Sequence, residues 1–274
     1  MSSPGRERLF LSGNEAVAKA AADAEVSLGT GYPGTPSSEI LEAFDEYGGR
    51  ARWAPNEKVA LEVGIGAAFG RARVLVTMKH VGLNVAADPF FSAAYSGVDG
   101  GLVVVSADDP GMASSQNEQD NRHYAEAAGV PMLEPSDSQE AYDFAVRAME
   151  VSEEWNIPVM LRLTTRICHS RTVVETRNVA GPTLEPGFGR NIEGRVMIPA
   201  HARPAHRRLR EKLKDVRRRN EESDVNFVDP GDGEPAIITS GISYMHAREA
   251  APESPILKLG MTHPLPMDTI REFV

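Results

Sequence analysis

GLVVVSADDPGM, residues 101–112, is the stretch on which the fold turns. Its first half is an apolar, β-branched run with no polar alternation, which predicts a strand buried on both faces. Its second half is polar and turn-prone, so the chain surfaces where the strand ends. Working outward, VLVTM (74–78) and PVMLRL (158–163) read the same way, and residues 26–31 form a shorter strand ending in glycine. Helical patterns separate them. Residues 14–24 are Ala-rich with Asn14 as a cap, residues 37–47 open on serine, and residues 58–69 carry small side chains on one side. Further helices are expected over 84–94, allowing for Pro89, and over 138–151. Strands alternating with helices predict an α/β fold, a parallel sheet flanked by helices on both faces.

This pattern ends near residue 185. Residues 186–234 read as a linker: Gly and Pro first, then the charged helix RPAHRRLREKLKDVRRRNEE (203–222), then a loop over 226–234. The acidic Glu211, Asp215, Glu221 and Glu222 interleave with its basic residues, which fits a solvated helix better than a nucleic-acid surface. Strand–helix alternation restarts with AIITSG (236–241), a helix near 243–250 and ILKLG (256–260). Residues 235–274 therefore read as the beginning of a second α/β domain, because so short a piece cannot bury a core alone. The alternative is that these strands extend the first sheet.

Composition narrows the function classes. The 274 residues have ordinary apolar (41%) and charged (25%) content for a globular protein, and the net charge of −10 argues against a general nucleic-acid binder. Cys168 is the only cysteine, so an internal disulfide and an iron–sulfur cluster held by this chain alone are excluded. Disulfide-free composition, no signal-like apolar run and no stretch of membrane-spanning length lead to the expectation of a cytoplasmic protein without a membrane partner.

The residues that carry chemistry cluster after strands. GYPGTPSSE (31–39) joins a strand to a helix, with Pro33 and Gly34 shaping the turn and Thr35, Ser37 and Ser38 offering hydroxyls and N–H groups suited to an anion; a plain helix cap explains the same residues. In NEKVALEVGIG (56–66), Glu57 precedes a helix and stands nine residues before Gly66. A dipole contact suffices to explain such a carboxylate, and the spacing alone is common. MKHVGLN (78–84) places Lys79, His80 and Asn84 at a strand's carboxyl end, where open parallel sheets bind ligands, although a loop His or Lys is often merely exposed. Asp108 and Asp109 lack any metal-ligand spacing, and a turn signal explains them; no metal ligand is assigned.

Together, YPGTPSSEI, the Glu57-led Gly/Ala helix, TMKHVGLN, SADDPGMASSQNEQDNR and the later SPILKLGMTHPLP resemble the alpha subunits of indolepyruvate-type 2-oxoacid:ferredoxin oxidoreductases over nearly the whole chain. The resemblance implies a thiamine-enzyme pyrimidine-binding domain over 1–185, a linker over 186–234 and the start of a transketolase-C-like domain over 235–274. It implies that Glu57 is the catalytic glutamate that bonds the aminopyrimidine ring of thiamine diphosphate, and that Thr35, with Lys79, His80 and Asn84, meets the 2-oxoacid. Pro33, Gly34, Gly66, His80, Gly82 and Leu83 would border the cofactor. Pyruvate-type relatives carry an arginine where this chain has Ala107 and Asp108, which shifts the expected substrate towards a bulky aryl pyruvate such as indolepyruvate.

The family's diphosphate-binding pattern, Gly-Asp-Gly followed at a distance by Asn, is not met. Gly231-Asp232-Gly233 has no matching Asn and reads as a turn. Mg²⁺, the diphosphate-binding domain and the Fe–S clusters are therefore expected on other parts. The chain is read as a fragment or split component that works with a beta- or gamma-type subunit, coenzyme A and ferredoxin. The alternatives are a pyrimidine-binding subunit of a non-oxidative thiamine-dependent decarboxylase and a non-catalytic assembly module.

Overall fold

The structure, a computed structural model, describes residues 7–274. The first half runs β1 (Arg8–Ser12), α1 (Gly13–Asp23), β2 (Leu28–Gly31), α2 (Ser38–Glu46), β3 (Ala51–Trp53), α3 (Glu57–Phe69), β4 (Val74–Lys79), α4 (His80–Val85), α5 (Ala87–Ser96) and β5 (Leu102–Asp108). It continues through α6 (Arg122–Ala128), β6 (Met132–Leu133), α7 (Ser138–Trp155), β7 (Val159–Thr164), α8 (Thr165–His169) and β8 (Arg171–Glu175). Then follow α9 (Ile192–Arg195), α10 (Pro199–Glu221), β9 (Phe227–Asp229), β10 (Ile237–Ser240), α11 (Ile242–Ala250), β11 (Ile256–Leu259), β12 (Met261–His263) and α12 (Met267–Phe273).

Seven strands form the main sheet in the order β12-β6-β7-β5-β4-β2-β3, parallel throughout except for β12 on β6. β5 lies at its centre with every residue buried, as its uninterrupted apolar run requires. The chain steps from β2 outward to β3, then returns across β2 to β4 and continues the other way. The connections leaving β2 and β4 therefore diverge, and a crevice opens between their carboxyl ends, the place where such sheets bind ligands. Gly64 of α3 lies against the sheet. A Cβ there would stand 2.7 Å from Val76 Cγ2, so the small residue sets how closely helix and sheet approach.

Several local expectations change. Ser12, not Asn14, caps α1: its hydroxyl accepts from Glu15 N at 3.2 Å, and the Glu15 carboxylate accepts from Ser12 N at 2.7 Å. Asn14 is buried, and its amide donates to Pro36 O at 2.7 Å and Glu39 Oε2 at 3.2 Å, tying α1 to the turn after β2. The helix expected over 84–94 is two helices that meet at Ala86, the first starting at His80. Residues 227–229, expected to be loop, pair antiparallel with β11.

The charged helix α10 is not solvated all round; Ala205, Leu209, Val216 and Asn220 are buried, and the Asn220 amide donates to Met261 O and Pro264 O. β10, β11 and β9 make their own sheet, and the chain then turns at Gly260 so that β12 closes the edge of the main one. Lys258 of β11 ties the small sheet to α7, which packs on the main one. Its side chain is fully buried, it donates to both Glu140 oxygens at 2.6 and 2.7 Å, and it stands 4.4 Å from the centre of the Phe144 ring.

Candidate functional site

The crevice between β2 and β4 gathers most of the residues singled out in the sequence. On one side is the turn after β2. It is braced internally: Ser38 Oγ accepts from Gly34 N at 2.8 Å, and Ser37 Oγ donates to Gly34 O at 2.9 Å. Pro33 and Thr35 are exposed, and the Thr35 hydroxyl makes no hydrogen bond among the described residues. Gly34 makes room for its neighbour, since a Cβ there would stand 3.0 Å from Lys79 Cδ. Lys79 thus runs along the turn, and its ammonium meets only Ser114 O, at 3.4 Å. It has no carboxylate partner among the described residues.

Glu57 is the first residue of α3, capped by Asn56, whose side chain accepts from Val59 N at 2.9 Å. A carboxylate there is favoured by the helix dipole. Yet Glu57 is only 9% exposed and finds no hydrogen-bond donor among the described residues. Its oxygens keep some contact with solvent, so a donor brought by a ligand would take the place of water there. Its neighbour across the crevice is Gly82 of α4, where a Cβ would stand 2.5 Å from Glu57 Oε1 and 2.7 Å from its Cγ. Gly82 therefore leaves the space that the carboxylate fills. This cradle fits a ligand that brings a donor to Glu57, as a protonated ring nitrogen of an aminopyrimidine would.

His80 is fully buried at the start of α4. Its Nε2 lies 3.0 Å from Asn117 O, so that nitrogen carries the proton, and Nδ1 is a buried acceptor without a partner. Leu83 is fully buried in the core below. Asn84 is exposed, exchanging hydrogen bonds with Gln119 at 3.0 and 3.1 Å and accepting from Tyr124 OH at 2.6 Å. Gly66 is not brought to Glu57. It lies on the outer face of α3, exposed and with nothing within 4 Å of its Cβ position, about 13 Å along the helix axis.

A buried ionic network that sequence reading missed holds this side of the site. Arg162 of β7 donates to Asp108 at 2.8 Å and to Glu134, and lies 3.6 Å from Asp120. Burial raises the Asp108 carboxyl above its usual range against the pull of Arg162. Asp108 accepts from Asn121 N at 3.1 Å, and the Asn121 amide donates to Ser106 Oγ at 2.7 Å and His80 O at 3.1 Å. Gln119 donates to the same carbonyl at 2.8 Å. The loop after β5 is thus clamped onto the start of α4. Asp109, expected at a turn, is buried at the strand's end. Burial pulls its pKa up, but hydrogen bonds from Ser115, Ser114, Thr165 and Ala113 outweigh that and hold it at about 2. The one available signal was an arginine inside a strand read as buried, which demands acidic partners.

Comparison with known proteins places the chain in a family. The family described as pyruvate flavodoxin/ferredoxin oxidoreductase, thiamine diphosphate-binding, matches residues 19–190. The chain is 47% identical over 278 residues to the indolepyruvate oxidoreductase subunit IorA of Methanothermobacter thermautotrophicus, and 45% identical over 281 residues to that of Archaeoglobus fulgidus. Each match covers 98% of this chain and 45% of the relative, so the chain spans about half the length of these curated relatives. The 2-oxoglutarate synthase subunit KorA of Methanothermobacter marburgensis is 31% identical over 199 residues, covering 66% of this chain and 52% of that one. Among solved structures, the 2-oxoglutarate:ferredoxin oxidoreductase from Magnetococcus marinus, with 2-oxoglutarate, coenzyme A and succinyl-CoA bound, superposes with a TM-score of 0.79 over 98% of this chain and 56% of that one. At 15% identity that likeness speaks for the fold alone.

Proposed function

The chain belongs to the pyruvate flavodoxin/ferredoxin oxidoreductase, thiamine diphosphate-binding family, and from that premise we propose that it supplies the aminopyrimidine-binding wall of a 2-oxoacid:ferredoxin oxidoreductase acting on an aryl pyruvate such as indolepyruvate. The observation that carries this reading is the largely buried Glu57, without a protein hydrogen-bond donor among the described residues and cradled by Gly82. Bound thiamine diphosphate would supply the carbanion chemistry that decarboxylates a 2-oxoacid. Glu57 accepts and returns a proton at its carboxylate. Pro33, Gly34, His80, Gly82 and Leu83 shape the wall that keeps water from that exchange, and Gly66 keeps the outer face of α3 open to an adjoining part.

Thr35 and Lys79 receive the substrate carboxylate, with Asn84 at the rim. Lys79 is the basic group suited to this, because Arg162 is already committed to Asp108 and Glu134 while the Lys79 ammonium meets one carbonyl. Mg²⁺, the diphosphate-binding domain and the Fe–S clusters belong to other parts of the enzyme. Those parts include a beta- or gamma-type subunit, and the acyl group passes to coenzyme A and the electrons to ferredoxin. Among the described residues no helix is long and apolar enough to cross a membrane; we place the enzyme in the cytoplasm.

The test is Glu57→Gln in the assembled enzyme. Loss of a positioned proton-transfer group lowers kcat by about 10²–10⁴-fold, read as indolepyruvate-dependent reduction of ferredoxin, with the fold intact by circular dichroism. Unchanged turnover would remove Glu57 from the mechanism.

A further inference from the structure

One strand over from the Glu57 crevice, at the carboxyl ends of β5 and β7, a second cavity of about 550 Å³ opens between the main sheet and α11. That volume falls within the range of small-molecule sites, about 300–1,000 Å³. Arg166 and His169 of α8 enter it from one side and His246 of α11 from the other. None of the three forms an ion pair or a side-chain hydrogen bond among the described residues, although the chain as a whole carries a net charge of −10.

The acidic residue on the lining is Asp109, and its oxygens are already taken by Ala113 N, Ser114 N, Ser115 Oγ and Thr165 Oγ1 at 2.7–3.3 Å. These neutral donors orient and stabilise its charge without cancelling it, so one carboxylate stands on the lining against three basic side chains. Thr164 also lines the cavity, and its buried Oγ1 has no partner. Pro110 and Ile242 supply an apolar wall. A guanidinium and two imidazoles converging on one space match phosphate oxygens, which accept hydrogen bonds and favour a planar bidentate donor such as Arg166. The apolar wall suits a flat base.

We propose that this cavity binds the phosphate end of a nucleotide-sized ligand, held by Arg166, His169 and His246. The ligand spans the two sheets, because His246 reaches it from α11 while the other groups stand at the ends of the main sheet's strands. This site is separate from the Glu57 crevice and takes a second ligand beside the first.

Isothermal titration of the chain with ADP tests the proposal. Saturable binding at one site is expected, with pyrophosphate competing. A lost charge-assisted hydrogen bond weakens binding about tenfold or more, so Arg166→Ala and His246→Ala should each do so. Both side chains are exposed, and unchanged melting temperatures would show that the variants fold. Glu57→Gln should leave ADP affinity unaltered, which separates this site from the proposed cofactor crevice. The proposal is overturned if ADP gives no saturable binding, if pyrophosphate fails to compete, or if both alanine variants bind as the parent does.

Discussion

Replacing Gly82 with alanine adds one methyl group and asks whether the cradle around Glu57 matters for chemistry. The new Cβ would lie 2.5 Å from Glu57 Oε1, 2.7 Å from Cγ and 2.9 Å from Cδ. An ordinary contact needs about 3.5 Å, so the carboxylate must retreat by about 1 Å. The obstructing atoms are the end of a side chain, which can rotate away, so the fold has a way out. Gly82 also sits within α4 and has no positive φ, so alanine recovers up to about 1 kcal/mol of helix propensity that offsets the crowding. Stability should therefore change by less than about 1 kcal/mol, whereas a 1 Å displacement of a catalytic group costs about 100-fold. Steady-state turnover of indolepyruvate by the assembled enzyme and thermal melting of the chain read the two effects separately. The double variant Gly82→Ala/Glu57→Gln gives the sharper test. If alanine acts by moving Glu57, adding it to Glu57→Gln should cost little more, a non-additivity that independent sites do not show. Turnover within twofold of the parent for Gly82→Ala, or full additivity in the double variant, would refute the reasoning.

Other perturbations probe the supports of the site. Lys258→Met leaves Glu140 without its buried partner and should destabilise the protein by about 3–5 kcal/mol in denaturant melts; adding Glu140→Gln, which removes the stranded charge, should recover part of that loss. Asp109 has a folded pKa of about 2, below its usual value, so its stabilising effect is complete above about pH 4 and fades as the pH falls towards 2; the gap in melting temperature between the parent and Asp109→Asn should close over that window. Asn14→Ala removes the amide that ties α1 to Pro36 O and Glu39, and it should raise KM for the 2-oxoacid more than it lowers kcat, because the turn bearing Thr35 loses its anchor.

The residues fall into two groups according to how far away their reasons lie. The buried strands were legible because an uninterrupted apolar run such as LVVV in β5 has one stable environment, the interior of a sheet covered on both faces. Thr35, Glu57 and Lys79 could be singled out because each stands at or after the carboxyl end of a strand, the edge at which a parallel sheet collects ligands. The bracing of those residues was not. Asn14 reads locally as a helix cap, and only the approach of α1 to the turn after β2 makes it an anchor. Gly66 and Gly82 both look like permissive glycines in sequence, yet one faces open space and the other faces Glu57. Asp108 and Asp109 read together as a turn, but their side chains diverge: one joins Arg162 beneath the sheet's end, and the other ties down the loop that follows.

The divergence of that acidic pair has a consequence for how the site works. Asp108 and Arg162 hold residues 119–121, and through Asn121 and Gln119 these residues grip the carbonyl of His80, two positions before the glycine that faces Glu57. Asp109 holds residues 113–115, and the carbonyl of Ser114 among them lies beside the Lys79 ammonium. One loop is thus pinned at both ends by adjacent residues of the same strand, and each pin fixes a different half of the crevice: the glutamate cradle and the lysine. The shape of the crevice therefore depends on strand β5, although the two groups proposed to act there, Glu57 and Lys79, come from α3 and β4. Weakening either aspartate should loosen its own half first, which makes the ratio of the kcat effect to the KM effect the quantity that distinguishes the two.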